Sequence, residues 1–281
     1  MELTRTIQEV SPVVERLTGN AGSLGLVPTM GSLHEGHISL INRSFEENPH
    51  TVVSIFVNPT QFNDKKDFES YPRNLDEDLG ILEELGVDLV FAPGERDIYP
   101  EPDTRVFDFG GLDRVMEGKF RPGHFNGVAQ VVSKLFGILH PEVAYFGEKD
   151  FQQLAIIRRM VARLKIPVRI TGCPIVREPD GLAMSSRNRL LSPEQRTSAA
   201  RIHQALVRAR EKAGTGSIDA MISETIAFIE GDPNLQVEYF EIVNDASLLP
   251  VSSWNEPGDK RGCLAVFAGQ VRLIDNMDFS F

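Results

Sequence analysis

Two histidines three residues apart, His34 and His37, flank Gly36 in the run Pro28-Thr29-Met30-Gly31-Ser32-Leu33-His34-Glu35-Gly36-His37. The run follows a short apolar stretch, Ser23 to Val27, and precedes Ile38, Leu40, Ile41 and Phe45 at roughly helical spacing. It therefore reads as a strand-to-helix turn. A helix start presents unpaired backbone N–H groups and the positive end of the helix dipole, which together suit a phosphate. Gly31 and Gly36 keep side chains out of a ligand's way. Histidines at this spacing project from one face and can donate hydrogen bonds to developing negative charge. One histidine here would be an ordinary surface residue; two framing a glycine point to nucleotide binding. The sequence contains neither a Gly-x4-Gly-Lys-Ser/Thr loop nor a Gly-x-Gly-x-x-Gly run.

Three further segments carry suitable groups. Met184-Ser185-Ser186-Arg187-Asn188, preceded by Arg177-Glu178-Pro179-Asp180-Gly181, is a polar loop offering two hydroxyls and a guanidinium. The planar fork of an arginine fits phosphate oxygens. Set opposite the histidines, this loop would form the other side of a clamp on a triphosphate. Phe146-Gly147-Glu148-Lys149-Asp150-Phe151-Gln152-Gln153 is a second strand-to-helix turn. Its Lys149 is a mobile point charge for phosphate, Asp150 is a helix cap, and Gln153 is a neutral group that orients a substrate. Phe56-Val57-Asn58-Pro59-Thr60-Gln61-Phe62 ends a strand, and Asn58 and Gln61 suit a small hydroxylated carboxylic acid. Arg121 and His124 either face anionic groups or stabilise a loop, while Arg158, Arg159 and Arg163 read as a solvated helix face. Asp76, Glu77 and Asp78 are candidates for a metal ion, whose ligands the sequence leaves unknown.

Alternating elements must position these groups. Strands are expected at Ser23 to Val27, Thr51 to Val57, Asp88 to Ala92, Val143 to Phe146 and Val168 to Ile170. Helical stripes fall between them, with Leu75, Leu79, Leu82 and Leu85 closed by Gly86, and Val128 to Leu139 the strongest. Such alternation implies right-handed crossovers and a mostly parallel sheet, with ligands beyond the carboxyl ends of the strands. The pattern changes near residue 174. Ser192-Pro193-Glu194-Gln195 is a helix start with Ser at the cap, and the helix runs to about Ala213. A helix from Ile218 to Glu230 and strands at Gln236 to Val243, Cys263 to Ala268 and Val271 to Ile274 complete the chain. The expected fold is α/β: a Rossmann-like, mostly parallel sheet domain over 1–174, then a smaller α+β domain over 175–281.

The 281 residues carry 29 Lys and Arg against 40 Asp and Glu, a formal charge of −11. That balance argues against nucleic acid as a partner, because counterion displacement needs a basic surface. No apolar run is long enough to span a bilayer and no signal peptide is apparent, so the expected location is cytoplasmic. Cys173 and Cys263 form no Cys-x-x-Cys pair and are expected to be buried thiols.

In its motifs and their order, the chain resembles the pantothenate synthetase (pantoate–β-alanine ligase) family. The resemblance rests on the histidine run, Phe56 to Phe62, Tyr71-Pro72-Arg73, Gly147-Glu148-Lys149-Asp150, Gln152-Gln153-Leu154, Met184 to Asn188, and Arg272-Leu273-Ile274-Asp275-Asn276. It implies that pantoate and ATP, with Mg²⁺, give a pantoyl-adenylate and pyrophosphate, and that β-alanine then releases pantothenate and AMP. It also implies a homodimer. Carried over by position, ATP is held by Met30, Gly31, Ser32, Leu33, His34, Glu35, Gly36 and His37. Gly147, Glu148, Lys149, Asp150, Val176, Met184, Ser185, Ser186 and Arg187 complete its site. Within that set His37, His34, Lys149 and Arg187 are the expected catalytic groups, and Gln61 and Gln153, with Asn58, hold pantoate. Two rival readings are a nucleotidyltransferase built on the same His-x-Gly-His turn and a nucleotide-binding sensor without turnover.

Overall fold

Six parallel strands carry the first unit, which takes in Met1–Asp113, Arg121–Glu148 and Gln153–Pro174. The structure is a computed structural model that describes residues 1–19 and 22–280. The strands are β1 (Glu2–Thr4), β2 (Leu24–Thr29), β3 (His50–Ile55), β4 (Leu89–Phe91), β5 (Val143–Gly147) and β6 (Arg169–Cys173). They lie in the order β1-β4-β3-β2-β5-β6. Leu24, Leu26 and Val27 of β2 and Val52 and Val53 of β3 are fully buried. Near-continuous apolar strands of this kind belong to a parallel sheet covered on both faces. The cover includes the helices Glu35–Glu47 and Leu75–Leu85, whose Leu40, Ile41 and Leu82 pack on Val27, Val53 and Val90. From β2 the chain steps outward through β3 to β4, then returns to the other side of β2 for β5 and β6. That reversal opens a crevice at the carboxyl end of the sheet, beside β2.

β1 and the helix after it are among the elements not anticipated. β1 has three residues, too few for a periodic signal, and joins the edge in register with β4, Glu2 opposite Leu89. The helix Ile7–Thr18 follows, started by a capping box in which Glu9 N–H donates to Thr6 Oγ1 and Thr6 N–H to the Glu9 carboxylate. Pro12 inside it blurs the helical pattern. β2 also runs through Pro28 to Thr29, where a turn was expected. Its register with β5 ends at Leu26, so the imino nitrogen of Pro28 falls where β2 is paired only with β3.

A second unit comprises Arg114–Phe120, Lys149–Gln152 and Ile175–Phe281. Its antiparallel sheet is β7 (Leu235–Asn244), β8 (Lys260–Ala268) and β9 (Val271–Asp278), in that order. The helices Pro193–Glu211 and Ile218–Glu230 share one core with it, built on Ile202, Leu206, Met221, Ile229, Leu264 and Val266. Ser192 and Gln195 form the expected capping box. β9 continues past Ile274, where a strand end was expected, because Asp275 and Asn276 are buried and hydrogen-bonded within it.

The two short segments are bound into this unit by polar groups. Tyr239 O–H donates to Glu117 Oε1 (2.8 Å), and Arg272 reaches both oxygens of Glu117 at 2.7 Å. Arg272 Nε also donates to Glu238 (3.0 Å). Glu117 N–H donates to Gln152 Oε1 (2.9 Å), and Gln152 Nε2 donates to the Val115 carbonyl (2.8 Å). Phe120 stacks on Tyr239 with ring centres 5.5 Å apart. Burial, followed by the neighbouring Glu117 charge, holds the Tyr239 phenol well above its ordinary pKa. It therefore remains a donor to that carboxylate.

Candidate active site

In the first unit, Met30 to His37, Asn58 to Gln61 and Gly147 leave the carboxyl ends of β2, β3 and β5, three neighbouring strands. Thr29 pairs with Ile55, and three residues beyond the Leu26–Ala144 pair lie Thr29 and Gly147. The three turns therefore start level. Gln153 sits in the first turn of the helix Phe151–Leu164 that follows β5. This is the crevice the alternation predicted.

The histidine pair cradles its own helix start. His34 is the N-cap of Glu35–Glu47, and its Nδ1 accepts from Gly36 N–H (3.1 Å). His37, three residues on, accepts from His34 N–H through its own Nδ1 (3.3 Å). Two imidazoles thus form a capping box, a role usually filled by Ser or Thr with Glu or Gln. Their rings lie 4.1 Å apart. With each Nδ1 facing a backbone donor, the proton of each neutral ring is assigned to Nε2. Both rings can then donate a hydrogen bond without carrying a charge.

Behind them, Asp78 fills the loop. Its Oδ2 accepts from Ser32 N–H (2.8 Å) and its Oδ1 from Leu33 N–H (2.7 Å), and the residue is 2% exposed. Gly31 and Ser32 both adopt positive φ, 79° and 53°, which turns successive N–H groups toward one anion. A side chain at Gly31 would place its Cβ 2.8 Å from Asp78 Oδ2. Four amides of the turn have acceptors within the protein: Ser32 and Leu33 N–H donate to Asp78, and His34 and Gly36 N–H to the imidazoles. Asp78, one of the three metal candidates, thus has each of its oxygens on a backbone amide. Glu77 is turned to Asn74, whose Nδ2 donates to it (2.9 Å). Among the described residues, no three His, Cys, Asp or Glu side chains group as a metal ion would need. Asp78→Asn exchanges one acceptor for a donor aimed at an amide, and should cost about 2–3 kcal/mol. Urea unfolding reads this, and a variant as stable as the parent would mean that the carboxylate does not hold the loop.

Asn58 fixes Gln61. Asn58 Nδ2 donates to Gln61 Oε1 (3.2 Å) and to the Gly127 carbonyl (3.0 Å), and its Oδ1 accepts from Tyr99 O–H (2.8 Å) and Thr60 Oγ1 (3.1 Å). Burial raises the pKa of the Tyr99 phenol, which keeps it a donor. With its oxygen held, Gln61 presents its NH2 on the side of Met30, whose sulfur lies 3.0 Å from Nε2. His124 is 6% exposed with Nδ1 2.8 Å from the Gln61 carbonyl, so it takes the loop-stabilising role of its two expected ones. Gly127 lies so close that a Cβ there would be 2.3 Å from the Thr60 carbonyl oxygen.

In the second unit, Val176 to Met184 folds back on itself. Met184 N–H donates to the Val176 carbonyl (3.0 Å) and Arg177 bridges Ala183. Ser185 caps the short turn Ser186–Leu190 by accepting from Arg187 N–H (3.2 Å), and Asn188 Nδ2 ties the turn to the Ala183 carbonyl (3.1 Å). Lys149 Nζ lies 3.7 Å from Asp150.

A model of the pantoate-beta-alanine ligase family matches residues 2–278. The chain belongs to that family. It is 53% identical to the pantothenate synthetase of Bacteroides fragilis over 283 residues, which is 99% of each chain. The crystal structure of the Thermus thermophilus pantothenate synthetase is similar throughout, with a TM-score of 0.93, 45% identity and all of both chains covered. A Francisella tularensis pantoate-beta-alanine ligase, complexed with beta-gamma ATP and beta-alanine, gives a TM-score of 0.84 at 35% identity, covering 99% of this chain and 98% of that one. Nothing in the sequence signals Tyr99, which lies 41 positions from its partner Asn58. Asp275 and Asn276 stand in a run that the sequence marks without showing their task.

Proposed function

We propose that the protein condenses pantoate with β-alanine in two steps, using MgATP as substrate. A carboxylate oxygen of pantoate attacks the α-phosphorus of ATP, the bond to the bridging oxygen breaks, and pyrophosphate leaves with its electron pair. The amine of β-alanine then attacks the acyl carbon of the adenylate, loses a proton, and expels AMP. The family match over residues 2–278 carries this reading. No protein nucleophile is required, because the acid supplies its own.

The chain's task is to align the attack and to offset charge spreading over the phosphates. His34 and His37 do this as neutral Nε2–H donors, since their caps hold each Nδ1. Lys149, Ser185, Ser186 and Arg187 donate to phosphate oxygens, with Val176 and Met184 beside the nucleotide. Gln61, oriented by Asn58, and Gln153 bind pantoate. Mg²⁺ enters on the phosphates of ATP. The same reading expects a cytoplasmic homodimer, and sedimentation tests the pairing.

Product identification decides between this reading and its rivals. Incubation with ATP, Mg²⁺, pantoate and β-alanine should yield pantothenate and AMP in equal amounts by mass spectrometry. A dinucleotide-type product from a phosphate-ester acceptor would establish the nucleotidyltransferase instead. ATP binding without pyrophosphate release would leave a sensor.

A further inference from the structure

The run Arg272 to Asn276 is part of the family resemblance but has no task in the chemistry above. Asp and Asn are poor strand residues, and a buried carboxylate is costly unless paired. Yet Asp275 and Asn276 stand consecutively in β9, 3% and 2% exposed. An apolar pair would suit the strand better, so the stability of the sheet alone does not explain them.

Their partners do. Both oxygens of Asp275 are gripped by Arg177, Nη1 to Oδ2 at 2.6 Å and Nη2 to Oδ1 at 3.0 Å. Arg177 Nη1 also donates to the Gly181 carbonyl (3.0 Å), which closes the fold-back from Val176 to Met184. Asn276 Nδ2 donates to the carbonyl of Lys149 (3.0 Å), and its Oδ1 accepts from Arg261 Nη1 (3.0 Å). Arg261 in turn lies 4.1 Å over the Phe151 ring and donates to Asp245 (2.8 Å). Two chain segments that are far apart in sequence, one bearing Lys149 and the other running into Ser185 and Arg187, are thus fastened to adjacent residues of one strand.

We infer that Asp275 and Asn276 are positioning residues for the nucleotide: through Arg177 and the Lys149 backbone they set the register between the two segments that bind ATP phosphates. The inference rests on the ATP-binding role proposed above. It makes β9 the ruler against which a lysine and a hydroxyl–guanidinium turn are spaced. A fixed spacing favours ATP because the donors are aligned before it arrives and less freedom is lost on binding.

The test measures ATP binding directly, by titration calorimetry without pantoate or β-alanine, alongside pyrophosphate exchange. Asn276→Asp keeps the acceptor for Arg261 but sets an oxygen against the Lys149 carbonyl. Asp275→Asn removes the charge from Arg177. Each should weaken ATP binding by about tenfold, while the Michaelis constant for β-alanine stays at the parent value. Asp275→Glu keeps the carboxylate and should recover most of the affinity. A role confined to folding would instead lower the fraction of active protein and leave ATP affinity unchanged, which overturns the inference. Parent affinity for ATP in a folded Asn276→Asp variant also overturns it. A parent enzyme that binds ATP but exchanges no pyrophosphate with pantoate contradicts the proposed reaction and leaves the ruler standing.

Discussion

In a His37→Ala variant, pantoate-dependent exchange of labelled pyrophosphate into ATP falls by about 100- to 1000-fold, the usual effect of removing one donor from a developing oxyanion. His37 carries a second duty, since its Nδ1 accepts the backbone N–H of the helix cap. Losing a cap contact costs about 1 kcal/mol, so some instability accompanies the loss of activity. His37→Gln separates the two effects. Glutamine is a natural residue for this third helical position and can reach back to the cap with its oxygen, leaving an amide NH2 on a flexible stem in place of the ring-held Nε2–H. It should regain the parent's melting behaviour and remain at least about tenfold slow. Near-parent exchange in the alanine variant would remove His37 from the chemistry.

The second large effect concerns stability. Arg272 meets both oxygens of Glu117, a residue only 6% exposed. Arg272→Ala takes away the cation that meets both oxygens of this buried carboxylate, and should cost about 3–5 kcal/mol. Paired removal, Glu117→Gln with Arg272→Met, should recover most of this, because a buried ion pair is worth far less than the loss of one partner suggests. Guanidinium unfolding of the single and double variants reads both values. A single variant within about 1 kcal/mol of the parent would show that solvent reaches Glu117 freely.

Much of this site was legible because its groups lie at turns that follow strands. The apolar runs before Met30, Asn58 and Gly147 marked those turns, and the parallel sheet brought them to one edge. The order of the strands was not legible, since alternation alone does not say on which side of β2 the chain returns. The histidine spacing suggested nucleotide chemistry, but its capping geometry stayed hidden because imidazole is an uncommon cap. Asp78 looked like one acid of three at a helix start. Its reach to amides 45 and 46 residues earlier leaves no local trace. β9 seemed to end at Ile274 because Asp-Asn resembles a turn, whereas Arg177, Arg261 and the Lys149 carbonyl hold the pair inside the strand.

The three-piece make-up of the second unit bears on engineering. A chimera that exchanged residues 175–281 for those of a relative would keep the old Glu117 and Gln152 beneath a new counterpart of Arg272. A working hybrid would have to transplant Arg114–Phe120 and Lys149–Gln152 along with the main stretch. By the same logic, a separately expressed 175–281 fragment would carry an arginine deprived of its chief counter-ion. Recombination breakpoints near 174 are therefore poor ones, although the pattern of strands and helices changes there.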